Sequence, residues 1–406
     1  MVDWETKPLG ELCEFRRGLT YGKSDEVDVS SNVVLRANNV DLATYTLDLS
    51  DLRYISDSVS VPATKKVRRG SLLICTASGS KSHLGKIAYV DDDYGYAFGG
   101  FMGQITPAPG VNDRYLFHAL TSPAYKAFIE ALSDGVNINN LKFDDLRQFP
   151  VPIPDLDEQQ RIVAILDEAF EGIATAKANA EKNLQNAREL YECQLESLFA
   201  SGDCNWPVRP LAQLATIING YAFKSTDFQR TPGVRSIKIT NVGVRAFVDD
   251  ASNYLPTTFS PLHSGVAVTQ GSIVLALTRS IIAGGLKVAM VPIDFDGALL
   301  NQRVAAIQPH TAQLETAFLF AYLSTRRVMN FVKSRVNTLM QPNLSIGDLR
   351  LLPVPLPALS EQHALVEAVQ RFKEDSQKLE STYVRKLAAL DDLKKSLLHQ
   401  AFTGAL

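Results

Sequence analysis

The chain carries one stretch twice, and that repeat decides what 406 residues can build here. The first copy reads Asn140-Leu-Lys-Phe-Asp-Asp-Leu-Arg-Gln-Phe-Pro-Val-Pro-Ile-Pro154, followed by Asp157-Glu-Gln-Gln160. The second reads Asn343-Leu-Ser-Ile-Gly-Asp-Leu-Arg-Leu-Leu-Pro-Val-Pro-Leu-Pro357, followed by Ser360-Glu-Gln-His363. A period of half the chain is too long for a solenoid, so it means two copies of one domain, each followed by a copy of one helix. Alternating prolines (Pro150, Pro152, Pro154; Pro353, Pro355, Pro357) lack the backbone N–H and push their predecessors out of the α region, so each run is an extended strap. Asp157 or Ser360 then caps a helix with Glu158 or Glu361 in its first turn.

From about Glu158 to Ser201, apolar or small residues recur at Ile162, Leu166, Ala169, Ile173, Ala176, Ala180, Leu184, Ala187, Tyr191, Leu195 and Leu198. Steps of three and four make one continuous stripe, and the helix would be roughly 65 Å long. A second long helix spans about Ser360 to Phe402, with a heptad seam of Leu365, Val369, Phe372, Ser376, Leu379, Tyr383, Lys386, Leu390, Leu393 and Leu397. Neither stripe hides itself alone. The two helices are therefore expected to pack as an antiparallel coiled coil, with the domains at its two ends about an approximate two-fold axis.

Each domain reads as mixed α+β, with short β-like runs bounded by turn residues rather than alternating βαβ units. In the first these are Val33–Arg36, Ser71–Cys75, Lys86–Val90 and Gly103–Thr106. A short helix ended by Gly18 opens the domain, and a single helix covers Arg114 to Leu132. The second domain replays the first: Trp206 to Leu214 matches Trp4 to Leu12, Gly271–Leu277 matches Gly70–Thr76, and Gly220 matches Gly18. The boundaries read 1–154 for the first domain, 155–202 for the first helix, 203–357 for the second domain and 358–406 for the second helix.

The frame repeats while the tips differ. Thr76-Ala-Ser-Gly-Ser-Lys-Ser-His83 stands against Leu277-Thr-Arg-Ser-Ile-Ile-Ala283, and Phe98-Gly-Gly-Phe101 against Leu299-Leu-Asn-Gln-Arg303. Such divergence suits two related recognition tasks with different targets. Basic and amide residues gather at these tips and nearby turns. The candidates in the first domain are Arg16, Arg17, Tyr21, Lys23, Arg36, Asn38, Asn39, Ser78, Ser80, Lys81, Asn137 and Asn139. Those in the second are Tyr221, Lys224, Lys238, Asn241, Thr278, Arg279, Ser280, Gln302, Arg303 and Gln341. Arg and Lys suit guanine, Asn and Gln suit adenine, and Ser and Thr suit either. Any one of them alone reads as a solvated turn residue; their clustering at corresponding points makes a reading surface. Asn140 and Asn343 sit at equivalent helix starts, where the plain reading is a cap.

No catalytic constellation competes with recognition. The chain holds no GxxxxGK[ST], HExxH or GxSxG run, and no Asn/Asp-Pro-Pro-aromatic tetrapeptide of an amino-methyltransferase. Cys13, Cys75, Cys193 and Cys204 form no CxxC pair, and the six histidines are read as surface or packing residues, so no zinc site is expected. A net charge of −3 does not by itself announce a nucleic-acid binder, although local patches remain open. The first residues have no apolar leader and no run of 18 apolar residues occurs, so a cytoplasmic protein is expected.

The two straps, the Glu-Gln helix starts and the tail Ser396-Leu-Leu-His-Gln-Ala-Phe-Thr-Gly404 resemble the specificity (S) subunit of type I restriction–modification systems over essentially the whole chain. The resemblance implies two target recognition domains, each reading one half of a bipartite double-stranded DNA target. The helices would serve as spacer and as dock for two modification (methyltransferase) subunits. It implies no cofactor in this chain: S-adenosylmethionine would be bound by the modification subunits, and ATP with Mg by restriction (translocase/endonuclease) subunits. The S-like subunit of a type IIB enzyme and a protein-binding scaffold are the other readings.

Overall fold

The computed structural model describes residues 4–78, 83–133, 140–201, 206–250, 254–336 and 343–406. They form two compact units, Met1–Glu181 with Arg385–Leu406, and Lys182–Val384. Both long helices pass from one unit into the other, so each unit contains a segment of each helix.

The first unit is built on a four-stranded antiparallel sheet in the order Cys13–Arg17, Met102–Pro107, Leu72–Cys75, Ile87–Tyr89. A second sheet, ordered Glu26–Val27, Arg53–Ile55, Asn32–Leu35, Ala97–Phe98, has its last pair parallel. The second unit repeats the main sheet with Ala215–Asn219, Val304–Pro309, Ile273–Ala276 and Val288–Met290. The register is the same: Cys13 faces Pro107 as Ala215 faces Pro309, and Arg17 faces Gly103 as Asn219 faces Ala305. The central strands, Leu72–Cys75 and Ile273–Ala276, are buried at every residue, so both sheet faces are covered.

The opening helix is shorter than expected. It covers only Leu9–Leu12, and Cys13–Arg17 turns into strand; the second unit does the same with Leu211–Leu214 and Ala215–Asn219. Gly18 and Gly220 are therefore not helix stops. A Cβ on Gly18 would lie 1.9 Å from the Gly99 carbonyl oxygen, and one on Gly220 would lie 2.0 Å from that of Asn301. Only glycine permits that approach. The single helix expected over 114–132 is two, Asp113–Ala119 and Pro123–Ser133, because Pro123 cannot continue the preceding turn.

The straps are short edge strands. Pro150–Pro152 pairs antiparallel with Thr6–Pro8, and Pro353–Pro355 with Val208–Pro210. Proline is tolerated at an edge, and Val151 and Val354 between the prolines are buried. The helices that follow run Leu156–Ser201 and Leu359–Phe402. Asp155, rather than Asp157, caps the first: its Oδ1 accepts from the Glu158 N–H at 2.9 Å. Ser360 lies inside the second helix and does not cap it.

The repeated Glu-Gln signature has a structural cause. Gln159 is buried; its Oε1 accepts from the Asn112 N–H at 2.8 Å, and its Nε2 donates to the carbonyls of Pro154 and Gly110 at 2.9 and 3.3 Å. Gln362, also buried, makes the same three bonds to Glu315, Pro357 and Gln313. One amide thus ties the strap, the loop before the next helix and the long helix together.

Within each unit the two long helices run antiparallel. In the first, Arg161 reaches the Leu406 carbonyl at 2.9 Å and Lys177 pairs with Asp391 at 2.7 Å. In the second, Ser376 Oγ donates to the Ala187 carbonyl at 2.9 Å and Arg188 pairs with Glu380 at 3.0 Å. Along the first helix Ile162, Leu166, Ile173 and Leu195 are buried and Leu184 is half-buried. In the second helix Leu365, Phe372, Leu390 and Leu397 are half-buried, but Leu379 is 39% exposed and Lys386 and Leu393 also face solvent. The covered positions there include Phe372, Ser376, Glu380, Tyr383, Leu387, Leu390, Lys394 and Leu398, a step near that of a straight helix. A strict seven-residue repeat drifts off such a stripe by about 20° per heptad, which turns residues 379, 386 and 393 outward.

Candidate nucleic-acid interface

In the first unit four turns meet at one cleft of 640 Å³: residues 19–23 after the first sheet strand, 36–38, 77–78 and 99–102. Tyr21, Lys23, Arg36, Asn38 and Ser78 all line it, with Glu26 and Phe101. The second unit has the corresponding cleft of 350 Å³, lined by Phe223, Ser225, Phe228, Lys238, Thr240, Gln302 and Arg303 among others. The same backbone contacts hold both. Leu19 bridges Gly99 in parallel as Tyr221 bridges Asn301, and Ala77 bridges Asn140 as Thr278 bridges Asn343. Asn140 and Asn343 therefore belong to these bridges and are not caps; the helices after them start at Phe143 and Ile346, with Ser345 capping the second through its Oγ.

Not every candidate faces a cleft. Asn39 and Asn241 are buried and hold their own turns: each Oδ1 accepts from a backbone N–H three residues earlier, of Arg36 and Lys238, at 2.9 Å. Asn39 Nδ2 donates to the carbonyls of Asp48 and Asp51, and Asn241 Nδ2 to that of Val248. These two amides are structural, because every polar atom is occupied by backbone. Ser280 is likewise buried, its Oγ donating to the Leu277 carbonyl at 3.0 Å. Arg16 is paired with Glu14 at 2.8 and 2.9 Å, and Arg17 lies 5.4 Å from the Phe143 ring centre; neither lines the cleft. Tyr221 packs on His263 at 4.4 Å and Lys224 is exposed beside the second cleft. Arg279 is exposed with φ of 49°, a left-handed conformation unusual for arginine. Ser80, Lys81, Asn137, Asn139 and Gln341 lie outside the described residues.

Lys238 sits 3.5 Å from the Phe228 ring centre, and desolvation pulls its pKa below the usual lysine range. Lys287 donates to the Ile239 carbonyl at 2.5 Å and so fixes the turn that carries Lys238. Phe101 is a cleft residue that a polar code for base edges does not find; the signal that points to it is its place opposite Arg303 in the repeat.

One histidine has a packing role that joins two helices. His118 is buried, and its Nε2 lies 2.8 Å from Asp167 Oδ1, which Arg114 also holds at 2.7 Å. Burial works against the Asp167 charge, yet the bonds from His118 and Arg114 bring its pKa down to about 2. The cluster fastens the helix Asp113–Ala119 to the first long helix. The adjoining Thr121 hydroxyl donates to the Phe117 and His118 carbonyls. Among the described residues no group of three or more His, Cys, Asp or Glu side chains is placed to hold a metal ion, and no helix is long and apolar enough to cross a membrane.

Against this geometry stand the comparisons with known proteins. The family described as the type I restriction modification DNA specificity domain matches residues 1–185 and again 204–386. The chain belongs to that family. It is 24% identical over 420 residues to the EcoKI specificity subunit of Escherichia coli K12, covering 99% of this chain and 89% of that one. The MjaVIII specificity subunit of Methanocaldococcus jannaschii is 25% identical over 315 residues, covering 73% and 71%. The HsdS subunit of Thermoanaerobacter tengcongensis shares the fold at a TM-score of 0.63 and 18% identity, covering 99% and 97% of the chains. A chain from a structural study of type I R-M complex assembly and conformational transition gives a TM-score of 0.77 at 18% identity, over 99% and 98%. The role of this type I specificity protein is DNA recognition within a restriction–modification system. The type IIB and scaffold readings are not favoured by these matches.

Proposed function

We propose that each unit of this specificity subunit reads one half of a bipartite duplex DNA target through its cleft. The observation that carries the reading is the pair of clefts: the turn after the first sheet strand, the turns at 36–38 and 238–240, and those at 99–102 and 301–303 line them in both units, beside the same glycine-to-carbonyl contact, and present different side chains. Phosphate contacts would position each unit and a few side chains would discriminate bases. In the first unit these are Lys23, Arg36, Asn38 and Ser78; in the second, Lys238, Gln302 and Arg303, with Arg279 exposed outside the cleft lining.

The two long helices set the interval between half-sites and hold two modification subunits, which in turn recruit restriction subunits. This chain is non-catalytic. S-adenosylmethionine is bound by the modification subunits, and ATP and Mg by the restriction subunits.

Arg303→Ala tests the reading, since the side chain is exposed and its removal leaves the sheet untouched. Losing a bidentate arginine–guanine contact costs about 1–3 kcal/mol of discrimination. Methylation by the assembled complex should therefore relax at one base pair of one half-site, with the other half-site and the gap unchanged. Unchanged specificity would remove Arg303 from the reading surface.

A further inference from the structure

Phe101 stands on the wall of the first cleft and is 74% exposed. Its backbone is held firmly: the carbonyl oxygen accepts from the Thr76 N–H at 2.9 Å, the Ala77 N–H at 3.2 Å and the Thr76 hydroxyl at 2.9 Å. Arg303 holds the same place in the second unit. Its carbonyl accepts from the Leu277 N–H at 2.8 Å, and the next residues pair alike, Met102 with Cys75 and Val304 with Ala276. One backbone position thus presents a flat apolar ring in one cleft and a guanidinium in the other.

An exposed aromatic ring on a fixed backbone gains most by covering an apolar group. Among the base edges of a major groove, the apolar group is the thymine C5 methyl, whereas a guanidinium pairs with guanine O6 and N7. Tyr21, Lys23, Arg36 and Asn38 around Phe101 supply the polar and cationic surroundings that a groove requires. We propose that Phe101 reads a thymine methyl in the half-site of the first unit, at the place where Arg303 reads guanine in the other. This rests on the clefts being the base-reading surfaces.

The test is a coupling experiment on the chain assembled with its modification subunits. Once the methylated motif is known, each thymine of both half-sites is replaced in turn by deoxyuridine, which removes only the methyl group. Binding is measured for the wild type and for Phe101→Ala. One thymine should show a loss of about fourfold in the wild type, the worth of one buried methyl group, and none in Phe101→Ala. Phe101→Arg, mapped by methylation, should exchange that A·T pair for G·C.

If deoxyuridine has no effect at any thymine, or the same effect in both proteins, the inference is overturned. A uniform loss in Phe101→Ala for thymine and deoxyuridine duplexes would instead make the ring an unstacking wedge, which also overturns it. In either case, continued dependence of the motif on Arg303 would leave the cleft reading intact. Insensitivity of the motif to both Phe101 and Arg303 would remove the cleft reading itself.

Discussion

Asn38 lines the first cleft, while the adjoining Asn39 is buried and spends its whole amide on the turn. Asn39→Ala should lower the stability of the first unit by about 1–3 kcal/mol, the cost of buried backbone groups left unpaired. Asn38→Ala should leave the thermal midpoint unmoved and weaken DNA binding by the assembled complex. A melting curve and a binding isotherm on both variants check the division; equal effects of the two on either readout would contradict it. The sequence shows both residues as amides in a turn and cannot separate them, because a burial difference between neighbours comes from contacts with residues 48 and 51, set by tertiary packing. Phe101 is hidden for the converse reason: a polar code for base edges directs attention away from a ring, and only its equivalence to Arg303 brings it forward.

At the scale of elements, the straps and the long helices were legible because proline alternation and an apolar stripe are local signals. The helix break at Pro123 was also written in the chain, although the apolar face from Leu116 to Phe128 masks it. The seam of the second helix was legible only in part, since a heptad template and a straight helix diverge by residue 379. The difference has a direct consequence. Leu379→Asp, 39% exposed, should cost no more than about 0.5 kcal/mol. Ala187→Leu forces bulk into a buried site whose carbonyl takes the Ser376 hydroxyl, and should cost about 1–3 kcal/mol. Denaturant titration of the two variants decides: a destabilised Leu379→Asp beside a neutral Ala187→Leu would restore the heptad seam.

For the whole molecule, the duplication places two equivalent clefts in a chain of net charge −3. That charge gives little sequence-independent attraction to a polyanion, so tight DNA binding is expected to depend on partner subunits. Two units of one chain are expected to read two different words at a fixed interval. Co-expression with a modification subunit in a methylation-free host, followed by genome-wide mapping of methyladenine, tests it most directly. The expected result is a single motif of two specified half-sites around an unspecified gap of constant length. A complex shown to assemble that places no methyladenine, or places it at one undivided word, would contradict it.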